Sequence, residues 1–548
     1  MTSTTQGLVT PGRAAALDSA HVGDIRGALG TISLDDVGAR TSASARLKTL
    51  LAIVGPGLIV MVGDNDAGAF STYGQAGQTY GTRLLWTFLL LVPVLYVNQE
   101  MVLRLGAVTG VGHARLILER FGRFWGAFSV IDLFILNALT IVTEFIGIAL
   151  AASYLGVPRI VAVVLASLVI VFAASTGSFR RFERIAMIFC AGSLLLVPVY
   201  VLAHPPAGQM ARGFTIPSIP GGSGQLATVM LLVIGIVGTT VAPWQLFFQQ
   251  SYIIDKRITP RFMRYEKADL WLGIVIVVIG GGALMGATAA AFAGARHVPF
   301  TDASGLAAGL SAYAGHAAGA LFAVALLDAS MIGAFAVSLS TAYAVGDMLG
   351  LKHSLHRGVK QAKGFYAMYA ALIAIAATIV LIPGSPLGLL TEGVQVLAGV
   401  LLPSATVFLL LLCNDKEVLG PWVNGRATNV LASIVVGILV MLSAILMVSV
   451  VFGTISSGQV IAIMGGCVAA ATLTGAFLLL RRWRAARGAA ALALAKGHAA
   501  GPTPAGPTPV RRMAVRGMAI AGRRRRELTS AARLDTAVRL DTAARLDT

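Results

Sequence analysis

Residues 63 to 70 read Gly-Asp-Asn-Asp-Ala-Gly-Ala-Phe, in a chain that is otherwise strongly apolar there. Leu50 to Val62 carries no charged side chain, and another apolar segment begins at Leu84. Asp64, Asn65 and Asp66 thus fall where a membrane helix would be expected. Ionisable groups inside a membrane usually face the bundle interior and are functional by default. Gly63, Asn65 and Gly68 tolerate positive φ, and Asp and Asn side chains compete for backbone hydrogen bonds. A helix is therefore expected to unwind here, freeing carbonyls and amides at mid-membrane depth. Such backbone is tolerated only where it is buried in protein or lines a cavity.

A second unusual stretch is "GIVGTTVAPWQLFFQQS", residues 235 to 251. Pro243 removes a backbone donor and clashes with the preceding turn, so a distortion near Val241 is expected. Thr239, Thr240, Gln245, Gln249 and Gln250 add polarity to it. Each stretch alone has a plain structural reading, as a Pro kink or a satisfied polar cluster. Two breaks five helices apart are what an inverted repeat of two five-helix halves predicts, with a substrate held between them.

The elements that must position these residues are legible from hydropathy. Hydrophobic residues make up 56% of the chain and charged residues 12%, with a mean hydropathy of +0.81. About 20 apolar residues span a bilayer, and such runs fall near 49–75, 84–104, 124–154, 158–176, 183–203, 226–252, 268–294, 317–346, 365–383, 391–413, 428–452 and 458–480. The reading is an all-α polytopic membrane protein of about twelve transmembrane helices. Loop charge tests the count: Arg104 to Arg123, Arg180 to Arg184, Lys256 to Lys267 and Lys352 to Lys363 fall after alternate spans. The opposite loops hold only Arg83, Arg159, Arg212 and Arg296. By the positive-inside rule both termini are cytoplasmic, in a multi-pass protein of the inner (plasma) membrane.

The net charge of +18 does not point to nucleic acid, because much of it is local. From Arg481 onward the chain holds 15 Lys or Arg against 4 acids, a net +11, in an Ala/Gly/Pro-rich tail with "RRRR" and a repeated Arg-Leu-Asp-Thr. That composition reads as disordered and suited to anionic headgroups of the bilayer. Residues 1–46 read as a disordered cytoplasmic segment without a secretory signal. Cys190, Cys413 and Cys467 lie in or at the end of spans and build neither a disulfide framework nor a metal site. With no hydrolase, metalloprotease or nucleotide-binding signature in a plausible context, an enzyme reading has no support, and no resident cofactor is expected.

The two stretches resemble a known family. "GPGLIVMVGDNDAGAFSTYGQAGQTYG" is similar to the first helix of the NRAMP divalent-metal transporters, which break at Asp-Pro-Gly-Asn. "QEMVLRLGAVTG" from Gln99 resembles their second helix, "IGIVGTTVAPWQLFFQQS" their sixth, usually Met-Pro-His, and Gln395 before "VLAGVLLPSA" their tenth-helix glutamine. The resemblance runs from about Arg46 to Asn414 and implies a LeuT-like fold of two inverted five-helix repeats with helices 1 and 6 broken. The organisation it implies is residues 47–252 for the first repeat and the start of the second, 226–414 for the second repeat, 428–480 for helices 11 and 12, and 481–548 for the tail. A monomer is expected.

The departures narrow the expectation. Asp66-Ala67-Gly68-Ala69 keeps the family's aspartate and loses its asparagine; Ala242-Pro243-Trp244 loses both the thioether and the imidazole. This combination resembles the NRAMP-related magnesium transporters. A methionine sulfur favours soft metals, whereas Mg2+ takes oxygen ligands and keeps several waters. Asp66 is the expected anionic anchor, with Asn65, Gln395 and carbonyls near Gly63 and Thr239 as direct or water-mediated partners. Asp64 reads as a gate or a second carboxylate, and Ala242 leaves space for hydration. Gln245 can orient Trp244, touch a hydration water, or simply pack.

Proton coupling is expected to be absent. Trp244 stands where the family has a histidine, the side chain suited to titrate near neutral pH. "LTIVTEFIG" keeps the family's glutamate as Glu144 but has Ile141 at its aspartate, and span 9 has no arginine. Asp328, Asn137, Thr140 and Glu144 are either functional or hydrogen-bonded between helices, and Asp132 is interfacial. The implied activity is entry of partly hydrated Mg2+, with Mn2+, into the cytoplasm by alternating access. The alternatives are a proton-coupled Mn2+/Fe2+ symporter, a LeuT-fold carrier of an organic solute, and a membrane sensor.

Overall fold

The computed structural model describes residues 19–220, 226–294, 299–452, 456, 458–470 and 472–473. The basic tail from residue 481 lies outside them. Nine described helical spans are long and apolar enough to cross a membrane, Phe179–Ala203 and Thr228–Asp255 each counted as one despite an internal break, and a bent pair makes a tenth. Two shorter apolar helices, Arg159–Ser175 and Gly458–Ala470, stand where the fourth and twelfth spans were expected.

The first span is composite. Helix α1 (Ala43–Ile53) meets α2 (Pro56–Val62) at a 53° bend. Gly55 makes the corner at φ 153°, a conformation that favours glycine, and Pro56 opens α2 at a position where its missing N–H does no harm. After four non-helical residues α3 (Ala67–Tyr80) continues the span. Then come α4 (Trp86–Thr109), the short α5 (His113–Phe121), and α6 (Arg123–Tyr154), whose 32 residues exceed a bilayer's needs. The first half ends with α7 (Arg159–Ser175), α8 (Phe179–Gly192) and α9 (Leu196–Ala203).

After α10 (Ala207–Thr215), the sixth span divides into α11 (Leu226–Thr240) and α12 (Pro243–Asp255). The break falls at Val241–Ala242, where Pro243 makes it necessary. The remainder is α13 (Met263–Ala291), α14 (Ala303–Ala314), α15 (His316–Leu349), α16 (Lys363–Leu381), α17 (Leu387–Asn414), the single-turn α18 (Lys416–Leu419) and α19 (Arg426–Phe452).

Small residues let the central helices approach closely, the usual packing device where the solvent is lipid. A Cβ at Gly147 on α6 would meet Ala67 and Ser330, and one at Gly333 on α15 would meet the Glu144 carboxylate. Leucine, isoleucine and phenylalanine on the outer helices are exposed instead: Ile160, Leu165, Leu168 and Phe172 on α7, Ile188 on α8 and Ile279 on α13. An apolar exterior around a core containing buried Asp64, Asn65, Gln245 and Glu144 is the arrangement a bilayer requires.

The segment expected to be disordered before residue 47 is folded over its described part. Ile25–Arg26 and Thr31–Ile32 pair as a short antiparallel ribbon. Ile25 and Ile32 pack with Ala52, Ile53, Ile253, Ile258 and Phe262 in a small core of their own. The apolar side chains scattered through this polar stretch, Ile25 and Ile32 among them, form no run long enough for a span and no clear strand pattern.

Candidate functional site

The break between α2 and α3 is built by side chains rather than by unusual backbone angles. Gly63 stays helical (φ −63°, ψ −12°), while Asp66 is extended (φ −78°, ψ −171°). None of residues 63 to 68 has positive φ, which corrects the expectation for Gly63, Asn65 and Gly68. Asp66 acts as the N-cap of α3, accepting from the Ala69 N–H at 2.9 Å. The Ala67 N–H donates to the Glu144 carboxylate at 3.3 Å. Carboxylates thus satisfy the first amides of α3, groups that have no partner within a helix. The glycines serve close approach: a Cβ at Gly63 would lie 3.4 Å from the Trp244 ring, and one at Gly68 would run into the Gln395 amide.

Gln245 ties the two breaks together. Its Nε2 donates to Asp64 Oδ1 and, at 3.2 Å, to the Thr240 carbonyl at the end of α11. Its Oε1 accepts from Gln99 Nε2 at 2.9 Å. A line of buried groups from α4 through α12 to the first break follows, Gln99 to Gln245 to Asp64. In the sequence Gln99 stands only within the second-helix motif; its place between Asn98 and Glu100 in a mostly apolar helix is the available signal. Tyr73 adds a further link between α3 and α11, its hydroxyl 2.6 Å from that of Thr240.

Buried oxygens left without a protein partner mark the region around the breaks: Asp64 Oδ2, Asn65 Oδ1, Thr239 Oγ1 and Glu144 Oε1. Buried polar atoms are normally paired, so such atoms call for an explanation. They supply oxygen, and Ala242, the N-cap of α12 (φ −91°, ψ 145°), brings only a methyl group to the second break. Trp244 is buried against Phe248, its carbonyl accepts from Ser340 at 2.9 Å, and its indole Nε1 lacks a partner. Among the described residues no three His, Cys, Asp or Glu side chains gather closely enough to hold a metal alone. An ion here would be completed by amides, carbonyls and water.

The expected residues do not all face one point. Gly63, Asp64, Trp244 and Gln245 meet between α2 and α12, and Gln395 from α17 lies against Gly68. Asn65 turns toward α13, its Nδ2 donating to the Val277 carbonyl at 3.3 Å, and lines a small cavity with Ser193, Leu196 and Asp328. Asn137 bonds Thr341 on α15 at 2.8 Å, and Asp132 accepts from Ser404 at 2.6 Å.

Comparison with known proteins bears on the fold and the family. Residues 57–449 match the family model described as natural resistance-associated macrophage protein-like. The divalent metal cation transporter MntH of Ralstonia nicotianae is 30% identical over 402 residues, 70% of this chain and 88% of that protein. Two mutants of the Eremococcus coleocola manganese transporter superpose with TM-scores of 0.60 and 0.61 at 22% identity, covering 80% of this chain and 96% of theirs. The fold is LeuT-like. With a family model spanning both broken helices and everything between them, this chain belongs to the natural resistance-associated macrophage protein-like, or Nramp, family.

Proposed function

We propose that this protein carries partly hydrated Mg2+, and Mn2+ as a second substrate, across the membrane by alternating access and without coupling to protons. Membership of the family, and the name of the Ralstonia relative as a divalent metal cation transporter, support the divalent class. The observation that carries the choice of Mg2+ is the donor set: unpartnered oxygens of Asp64 and Thr239 at the two breaks, the second of which presents the methyl group of Ala242 and no sulfur from that position. Mg2+ takes oxygen ligands, keeps waters and is anchored by one or two carboxylates. Asp66, with Asp64 beside it in sequence, is the anionic anchor; Gln395 and Gln245 position water or the ion.

The absence of proton coupling rests on Trp244, whose indole carries no exchangeable charge, and on apolar Ile141. Glu144 favours a second reading. It is buried, reaches the α3 N-terminus next to Asp66 and keeps one free oxygen, so a proton-coupled Mn2+ carrier would use it.

The test of substrate is uptake by purified protein in liposomes loaded with a Mg2+ dye, with Mn2+ and Cd2+ as competitors. Mg2+ entry that Asp66→Ala abolishes is the expected result. Uptake of Mn2+ and Cd2+ with none of Mg2+ would sink the Mg2+ reading and leave only the divalent class.

A further inference from the structure

Lys256, near the end of α12, has a fully buried ammonium group. It donates to the carbonyls of Ile53 and Val54 at 2.6 and 2.9 Å and to Glu183 Oε1 at 2.6 Å. Across the same corner Asp269 Oδ2 on α13 accepts from the N–H groups of Gly55, Gly57 and Leu58 at 3.1, 2.7 and 3.3 Å. The elbow between α1 and α2 is therefore held on its carbonyls by a cation and on its amides by a carboxylate. Charge-assisted bonds of this kind are the strong ones. Only α2, seven residues long, separates the elbow from Gly63 and the ion site.

The groups that hold the elbow are tied to the folded N-terminal ribbon. Glu183 Oε2 accepts from the Ala28 N–H at 2.5 Å, and Arg184 Nε donates to the Ala28 carbonyl at 3.1 Å. Arg257, next to Lys256, donates to the carbonyl of Ala20 at 2.7 and 3.0 Å and of Asp24 at 3.0 Å. Arg261 reaches the carbonyls of Asp36 and Gly38 at 2.5 and 2.7 Å. A Cβ at Gly27 would collide with the Ala52 backbone, so the ribbon lies directly on α1.

We propose that residues 20–38 are a latch. Seated, they brace Glu183 and the elbow and hold α2 closed over the ion site; lifted, they free α2 to swing and open that site toward the end of the bundle bearing the basic loops. Many of the ribbon's polar contacts run from arginines to its backbone carbonyls, partly or fully exposed, and its buried apolar side chains are only Ile25, Ala28 and Ile32. Segments with so few buried contacts open well below the global unfolding free energy. The latch rests on the transport reading only for its consequence, not for its structure.

The test uses the full chain carrying Arg257→Gln and Arg261→Gln together, and Arg261→Gln alone should the pair fold poorly. Amide hydrogen exchange over residues 54–58 is read beside metal uptake at saturating ion. The expected result is faster exchange of the elbow, roughly fivefold for each net hydrogen bond lost, with faster uptake. Faster exchange of residues 20–38 with an unchanged elbow overturns the latch, as does a faster elbow without a rise in uptake. A parent protein that moves no divalent ion fails the transport reading instead, and the exchange data still stand.

Discussion

At the scale of residues, Asp64 and Asp66 sit differently, and the proposed function rests on that difference. Asp66 spends one oxygen on the α3 N-cap, while Asp64 is held by Gln245 and keeps Oδ2 unpartnered. Outer partners of metal ligands typically matter by 10- to 100-fold; Asp66 is the proposed anchor itself, so Asp66→Ala is expected to lose divalent uptake by at least the upper end of that range, roughly a hundredfold or more, with the protein still monodisperse. Near-normal uptake by that variant would move the anchor to Asp64. Gln99 bonds Gln245 and, on the proposed function, would act through it; Gln99→Leu should then weaken uptake by roughly tenfold and spare thermal stability more than activity. A variant with unimpaired uptake would remove Gln99 from the account. Ala242→Met fills hydration space and adds a soft ligand, so the ratio of Mg2+ to Mn2+ uptake should fall. A constant ratio in a competition assay would show that softness at this position does not set selectivity.

At the scale of elements, both breaks were legible because their causes are local. Pro243 cannot continue α11, and a Gly-Asp-Asn-Asp-Ala-Gly run cannot stay an ordinary helix. The backbone route through the first break was not legible, since it depends on Glu144 arriving from α6 and Gln245 from α12. The folded ribbon before residue 47 was missed for the same reason: its stability comes from Glu183, Arg257 and Arg261, all more than 130 positions away. The loop after α15 offers a pH test. Burial alone would lower the pKa of His353, but Asp347 at 3.0 Å and the Leu351 carbonyl at 2.7 Å outweigh it and push the value from 6.5 to about 9, with Asp255 adding to the pull. A raised folded-state pKa contributes stability that is complete below about 6.5 and disappears as pH rises through about 9. The unfolding temperature should therefore drop across that window, and His353→Gln should flatten the drop. Parallel profiles for the two proteins would contradict this.

At the scale of the whole molecule, hydropathy and loop charge were enough for a polytopic bundle of about twelve spans, because lipid leaves few alternatives. Which polar side chains face each other across that bundle was not readable; Asn65, adjacent to both aspartates in sequence, turns to α13 instead of joining Asp64 at Gln245. In the proposed function a divalent ion crosses driven only by its own gradient and the membrane potential. Two charges moving through 100 mV release roughly 4.6 kcal/mol, ample for accumulation. The direct measurement is simultaneous metal and proton flux in proteoliposomes that carry a pH dye, with potassium and valinomycin clamping the voltage. The expected result is Mg2+ or Mn2+ entry that follows the imposed voltage, leaves the lumen pH unchanged and is absent in Asp66→Ala. Stoichiometric acidification of the lumen as metal enters would contradict it, and its loss in Glu144→Gln would name the residue that carries the proton.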